Sequence, residues 1–233
     1  EQGFAAKLSQ RRGLTPAQIR TAVRFAKLAG TDDGGTVDAQ MLIERQLGNA
    51  DKELGKSASN KPARRNVTTY QLAMLNVESR FDIAKIIEAL GRRGNGTVCF
   101  HGAPGTGKTA LAEHIASSLQ KPLMIRQASD LVSKFVGETE QNMAKMFEEA
   151  QAENAVLLLD EADSFLRSRK RAERSYEVTE VNEMLQGMER FSGIFICTTN
   201  LFEDLDEAAL RRFTFKIKFK PLLPEQRETM FVV

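Results

Sequence analysis

Hydrophobic spacing along the chain changes character twice. Between Pro16 and Leu28 the apolar positions Ile19, Ala22, Val23 and Ala26 recur at helical spacing, with Thr15 as N-cap and Pro16 at the first helical position. A second helix is expected from near Asp38, where Ala39, Leu42, Ile43 and Leu47 share one face and Gly48 supplies a stop. From Asn49 to Asn66 the periodicity lapses. NADKELGKSASNKPARRN is polar and broken by Gly, Ser and Pro, so it reads as a linker. The expected organisation is a helical segment over 1–48, a linker over 49–66 and a larger domain over 67–233.

Beyond the linker, short apolar runs alternate with longer helical patterns. Buried strands are expected at Thr97–His101, Leu123–Gln127, Ala155–Asp160, Ile194–Thr198 and Phe213–Phe219. Helices are expected at Lys108–Leu119, Thr139–Ala152 and Val178–Met188. This alternation predicts an α/β fold, a doubly wound parallel sheet with helices on both faces. In such sheets, ligands bind at the carboxyl ends of the strands.

Composition narrows the function classes. The chain has 233 residues and 42% hydrophobic content, room for one α/β domain and a small helical appendage. Its 33 basic and 31 acidic side chains leave a net charge of +2, so no global field points to nucleic acid or an anionic membrane. Cys99 and Cys197 sit in the apolar runs TVCF and IFICTT, where thiols act as small buried hydrophobes; a reducing, cytoplasmic setting is expected. No run approaches the roughly 20 apolar residues of a membrane span.

The chemistry concentrates after the first strand. Gly102 to Thr109 reads GAPGTGKT, matching Gly-x-x-x-x-Gly-Lys-Ser/Thr between a strand and a helix. Gly102, Gly105 and Gly107 allow backbone N–H groups to turn inward around phosphate oxygens, and Lys108 adds a point charge. The Thr109 hydroxyl suits Mg²⁺, and the helix start supplies a favourable dipole. Gly102, Ala103, Pro104, Gly105, Thr106, Gly107, Lys108, Thr109 and Ala110 are the expected contacts to ATP. Further on, AVLLLDEAD places Asp160 and Glu161 at a strand end, with Asp160 expected in the Mg²⁺ shell and Glu161 as the base for the attacking water. Asp163 reads as a helix-start or surface carboxylate in preference to a catalytic one. The run GIFICTTN ends in Asn200, whose amide can fix a water beside the γ-phosphate.

These residues resemble the AAA+ ATPases over nearly everything from Asn66 onward. Walker A is GAPGTGKT, Walker B is VLLLDEAD, sensor 1 is TTN, and LDEAALRRF resembles the arginine-finger segment. The resemblance implies a five-stranded sheet of order 5-1-4-3-2, nucleotide bound at a subunit interface, and Arg211 or Arg212 reaching a neighbour's γ-phosphate. In the family's substrate-threading members Pro-Gly usually separates the finger arginines; here Arg211 and Arg212 are adjacent. The family's C-terminal lid should begin near Pro224 and is cut short at Val233. The first two helices resemble the end of such a lid, which implies a fragment of a tandem ATPase with Arg20 as a possible sensor 2 equivalent. Backbone around Asn76 and Val77 is the expected adenine contact.

SKFVGE, Ser133 to Glu138, resembles the first pore loop of protein remodelers, in which Phe135 would grip a polypeptide client inside a homo-oligomeric ring. By composition alone a phenylalanine there belongs in the core. The competing class is a nucleic-acid motor with Arg167, Arg169, Lys170, Arg171 and Arg174 lining the pore. Glu173 and Glu177 interrupt that run and Tyr176 is its sole aromatic, so it reads as a solvated loop. A third class, a regulatory nucleotide-binding module without turnover, is disfavoured by the intact Glu161 and Asn200.

Overall fold

The computed structural model describes residues 15–29, 40, 42–44, 47, 72–133, 135, 137–169 and 175–232. The expected linker over 49–66 lies outside them. The chain forms two compact units, and no helix among the described residues is long and apolar enough to cross a membrane.

The first unit takes in the described residues up to Asn76, the short segment Pro104–Gly107, and the C-terminal stretch from Lys220. Helix α1, Pro16–Ala29, begins at a capping box: the Gln18 amide donates to Thr15 Oγ1 at 3.4 Å, and the Thr15 amide donates to Gln18 Oε1 at 2.9 Å. Its expected face is buried, Ile19, Ala22 and Ala26, and Ile19 and Ala22 pack with Leu47, Val23 and Ile43. Of the expected second helix, residues 40, 42–44 and 47 are described and helical. The unit's other described elements are a 3₁₀ turn, Leu72–Met74, and a helix starting at Pro224, where the family lid was expected to begin. The Leu75 carbonyl accepts from Gln226 Nε2 at 2.9 Å.

The second unit, Val77–Ala103 and Lys108–Phe219, is a six-stranded sheet with its helices. In chain order its elements are β1 (Val77–Ser79), α2 (Ile83–Arg93), β2 (Gly96–Gly102), α3 (Lys108–Ser118), β3 (Leu123–Gln127), α4 (Ala128–Leu131), α5 (Glu138–Ala152), β4 (Val156–Asp160), α6 (Asp163–Leu166), α7 (Ser175–Arg190), β5 (Ile194–Thr199), α8 (Glu207–Arg212) and β6 (Phe215–Phe219). The C-terminal helix Pro224–Val232 is α9. Strand order is β1-β6-β2-β5-β4-β3. Five strands run parallel in the expected order 5-1-4-3-2, and β1 adds an antiparallel edge against β6. The last strand starts at Phe215 rather than Phe213, because Phe213 ends α8 and turns into the core at 3% exposure.

Burial explains the apolar runs. All of β5 and Val156–Leu159 of β4 are sealed from solvent, which needs cover on both faces of the sheet. On one side α5 and α7 supply Met143, Met146, Phe147, Val181, Met184 and Leu185 to the main core. Cys99 and Cys197, direct partners across β2 and β5, are free and buried, and burial pushes the Cys197 thiol well above its ordinary range. Helix α2 was not anticipated, although its signals are local. Asp82 caps it through the Ala84 amide at 2.8 Å, Ile83, Ile86 and Leu90 form its buried face, and Gly94 closes it at φ 71°.

Candidate active site

Strand β2 delivers the chain to Gly102, where a side chain is impossible: a Cβ there would stand 2.2 Å from the Phe219 carbonyl oxygen. Gly102, Gly105 and Gly107 take φ values of 133°, 75° and 102°. That is backbone other residues rarely adopt, so the glycines of GAPGTGKT are required by conformation. Helix α3 starts at Lys108, which is buried although charged. Its Nζ donates to the Gly102 carbonyl at 2.7 Å, the Ala103 carbonyl at 3.0 Å and Asn200 Oδ1 at 2.8 Å. Burial lowers its pKa, and Asp160 and Asp163 oppose that shift. An ammonium group can only donate, so Asn200 must turn its oxygen to Lys108 and present its amide nitrogen elsewhere. The Lys108–Asn200 contact joins the end of β2 to the end of β5.

The acidic pair stands where β4 ends. Asp160 Oδ1 accepts from Thr198 Oγ1, and the Glu161 amide donates to the same hydroxyl at 3.0 Å. Glu161 is exposed and has φ 58°, a left-handed conformation that costs a non-glycine residue roughly 1–2 kcal/mol. Such strain at a strand end is characteristic of working sites. Asp163 is the first residue of α6, as read from the sequence, and it also accepts from Thr199 Oγ1 and from the Leu201 amide at 3.3 Å. It therefore helps hold the segment bearing Asn200. Among the described residues no three His, Cys, Asp or Glu side chains cluster to hold a metal. Mg²⁺ typically takes only one or two carboxylates plus substrate phosphates, so Thr109 with Asp160 is a donor set of the right kind.

The two arginines of LDEAALRRF differ. Arg211 is 81% exposed, with a loose 3.7 Å pair to Glu207 one turn back. Arg212 is 28% exposed and turned inward; it pairs with Glu189 at 2.5 Å and donates to the Ala208 carbonyl at 2.9 Å. Phe135 is 71% exposed, which excludes the core alternative for its side chain. Its amide donates to Ser133 Oγ at 3.2 Å and its carbonyl accepts from the Glu138 amide at 3.3 Å. In the basic run, Arg169 is bound to Asp206 through Nε at 3.0 Å and Nη2 at 3.1 Å, while Lys170, Arg171 and Arg174 lie outside the described residues. Arg20 is exposed on α1. At the expected adenine contact, the Asn76 carbonyl accepts from the Lys220 amide at 2.8 Å, and Val77 is paired with Phe219.

Sequence reasoning placed Thr198 and Thr199 in the TTN motif but missed three contacts: the Thr198–Asp160 bond, the Thr199–Asp163 bond, and the stacking of the His101 ring on Phe202 at 3.8 Å. Each joins segments distant in sequence, and no linear pattern marks the pairing.

A model of the "ATPase family associated with various cellular activities (AAA)" matches residues 98–221, just over half of the chain. The chain is 36% identical over 149 residues to the uncharacterised protein ORF529 of Acidianus two-tailed virus, covering 58% of this chain and 28% of that protein. It is 32% identical over 202 residues to the ATP-dependent zinc metalloprotease FtsH of Lachnoclostridium phytofermentans, covering 79% of this chain and 35% of the relative. With proteasome-activating nucleotidase 2 of Halobacterium salinarum it shares 31% identity over 156 residues, 63% of this chain and 38% of the relative. The chain thus spans well under half the length of each.

Proposed function

The chain belongs to the AAA family of ATPases, and from that premise we propose that it binds ATP with Mg²⁺ along Gly102–Thr109 and hydrolyses it with Glu161 as general base. The observation that carries this reading is the buried Lys108 ammonium, held by the Gly102 and Ala103 carbonyls and by Asn200 Oδ1. A fixed positive charge at a strand end, beside a helix N-terminus, is the preorganised electrostatics that phosphoryl transfer requires. Thr109 and Asp160 would hold Mg²⁺, which neutralises phosphate charge when bound. The exposed Glu161 carboxylate accepts the proton of the attacking water. Asn200, its oxygen committed to Lys108, offers amide donors to orient that water.

In the same reading 67–233 is the ATPase core, and Arg211 is the finger offered to a neighbouring copy, since Arg212 is bound within its own subunit. The exposed Phe135 suits an aromatic grip on a polypeptide client in a ring of copies. The protease and proteasome-linked names of two relatives support a polypeptide client.

Calorimetry with Mg²⁺ and ATP, together with phosphate release, tests the core of the proposal. Wild type and Glu161→Gln are expected to bind alike, Glu161→Gln to lose turnover by about 10²-fold or more, and Lys108→Ala to lose most of its affinity. Equal ATP binding by wild type and Lys108→Ala rejects the site. Undiminished release by Glu161→Gln assigns the base elsewhere.

A further inference from the structure

Pairing between β4 and β5 runs from Val156↔Ile194 to Leu159↔Cys197 and stops there. The next residue of β5, Thr198, is 1% exposed and takes over the hold where the ladder ends. Its hydroxyl donates to Asp160 Oδ1 and accepts the Glu161 amide at 3.0 Å, and its carbonyl accepts the Ala162 amide at 2.9 Å. A hydroxyl has one proton and two lone pairs, an amide N–H only donates and an ionised carboxylate only accepts, so the direction of both side-chain bonds is determined. Three consecutive residues are thereby registered on one threonine. They include the turn in which Glu161 sits at φ 58°.

We infer that Thr198 is a positioning residue for hydrolysis: its hydroxyl sets the Asp160 carboxylate and the direction in which Glu161 leaves the sheet. The inference rests on the hydrolysis reading above, because Thr198 acts only through Asp160 and Glu161. Thr198→Val is the discriminating change. Valine keeps the branched shape and suits a strand, while both side-chain bonds vanish and the backbone bond to Ala162 remains. Thr198→Ser keeps the hydroxyl.

In the full chain, Thr198→Val is expected to lower kcat on the order of 10²-fold, the penalty of a misplaced catalytic group. KM for ATP and calorimetric affinity should stay within about twofold, and Thr198→Ser should retain turnover within about threefold of wild type. In the nucleotide-free chain the Glu161 amide should exchange its hydrogen about tenfold faster in Thr198→Val than in wild type or Thr198→Ser. Turnover by Thr198→Val within about threefold of an active wild type overturns the inference alone. So does a fall in affinity that matches the fall in turnover, or unchanged exchange at Glu161. If Thr198→Val does not fold, Thr198→Ala against Thr198→Ser decides on the same measurements. A wild type that binds nucleotide without releasing phosphate overturns the hydrolysis reading, and this inference with it.

Discussion

His101 shows how position tunes a single residue. Its pKa is lowered to about 4 from 6.5, first by burial, then by Lys218 and Lys108, with Glu78 opposing. The unfolded chain therefore takes up a proton between pH 6.5 and about 4 that the folded chain refuses. The corresponding stability is fully present above 6.5 and is lost as pH falls through that window to about 4. His101→Phe keeps a ring against Phe202 and removes the titration. Urea unfolding at about pH 7 and about pH 5 should show a smaller difference in the variant than in wild type. Identical differences would mean that the imidazole is not held neutral by its surroundings.

At the scale of elements, α5 and α7 meet through one glycine. A Cβ on Gly187 would lie 2.3 Å from Phe147 Cε2. The Phe147 ring is 7% exposed and packed near Phe191 at 5.5 Å and Phe195 at 5.6 Å, so it has little room to swing away. Overpacking of this kind costs about 1–3 kcal/mol, against about 1 kcal/mol gained from alanine's helix propensity. Gly187→Ala should thus destabilise by up to about 2 kcal/mol net, read as a lower denaturant midpoint; a midpoint above wild type would show that the ring relaxes. Helix α8 depends instead on Asp206, which caps it at the Ala208 amide at 2.9 Å and binds Arg169. Burial would raise the Asp206 pKa, but the Arg169 bonds and the cap outweigh it, and the net shift is downward. Asp206→Ala should cost about 1 kcal/mol for the cap alone, and Asp206→Asn should recover that part, as unfolding titrations would show.

At the scale of the whole molecule, a finger in trans predicts that activity rises more steeply than protein concentration, since an arginine supplied by a neighbour is worth about 10³–10⁵ in rate. Mixing Arg211→Ala with Glu161→Gln should restore some turnover, each copy supplying what the other lacks; linear activity with no rescue removes the trans arginine. Phe135→Ala should leave stability within about 0.5 kcal/mol, as for surface changes, while stimulation by an unfolded polypeptide is lost. A large drop in melting temperature, or unchanged stimulation, removes Phe135 from the client surface. The GAPGTGKT loop and the five parallel strands were legible in the linear chain because each is local: glycines, lysine and helix start are contiguous, and a strand covered on both faces must be apolar throughout. Strand β1 was not, since three residues carry no periodicity and its partner β6 lies far along the chain. The sequence alone thus determined the fold class and the five parallel strands, and supplied the candidate inventory Lys108, Thr109, Asp160, Glu161 and Asn200. Only the tertiary structure decided that Asn200 faces Lys108, that Thr198 holds the Asp160–Glu161 turn, and that Arg211 rather than Arg212 is free of tight pairing within its own subunit. Those outcomes depend on register between strands and helices distant in sequence, which is set by packing and leaves no linear trace.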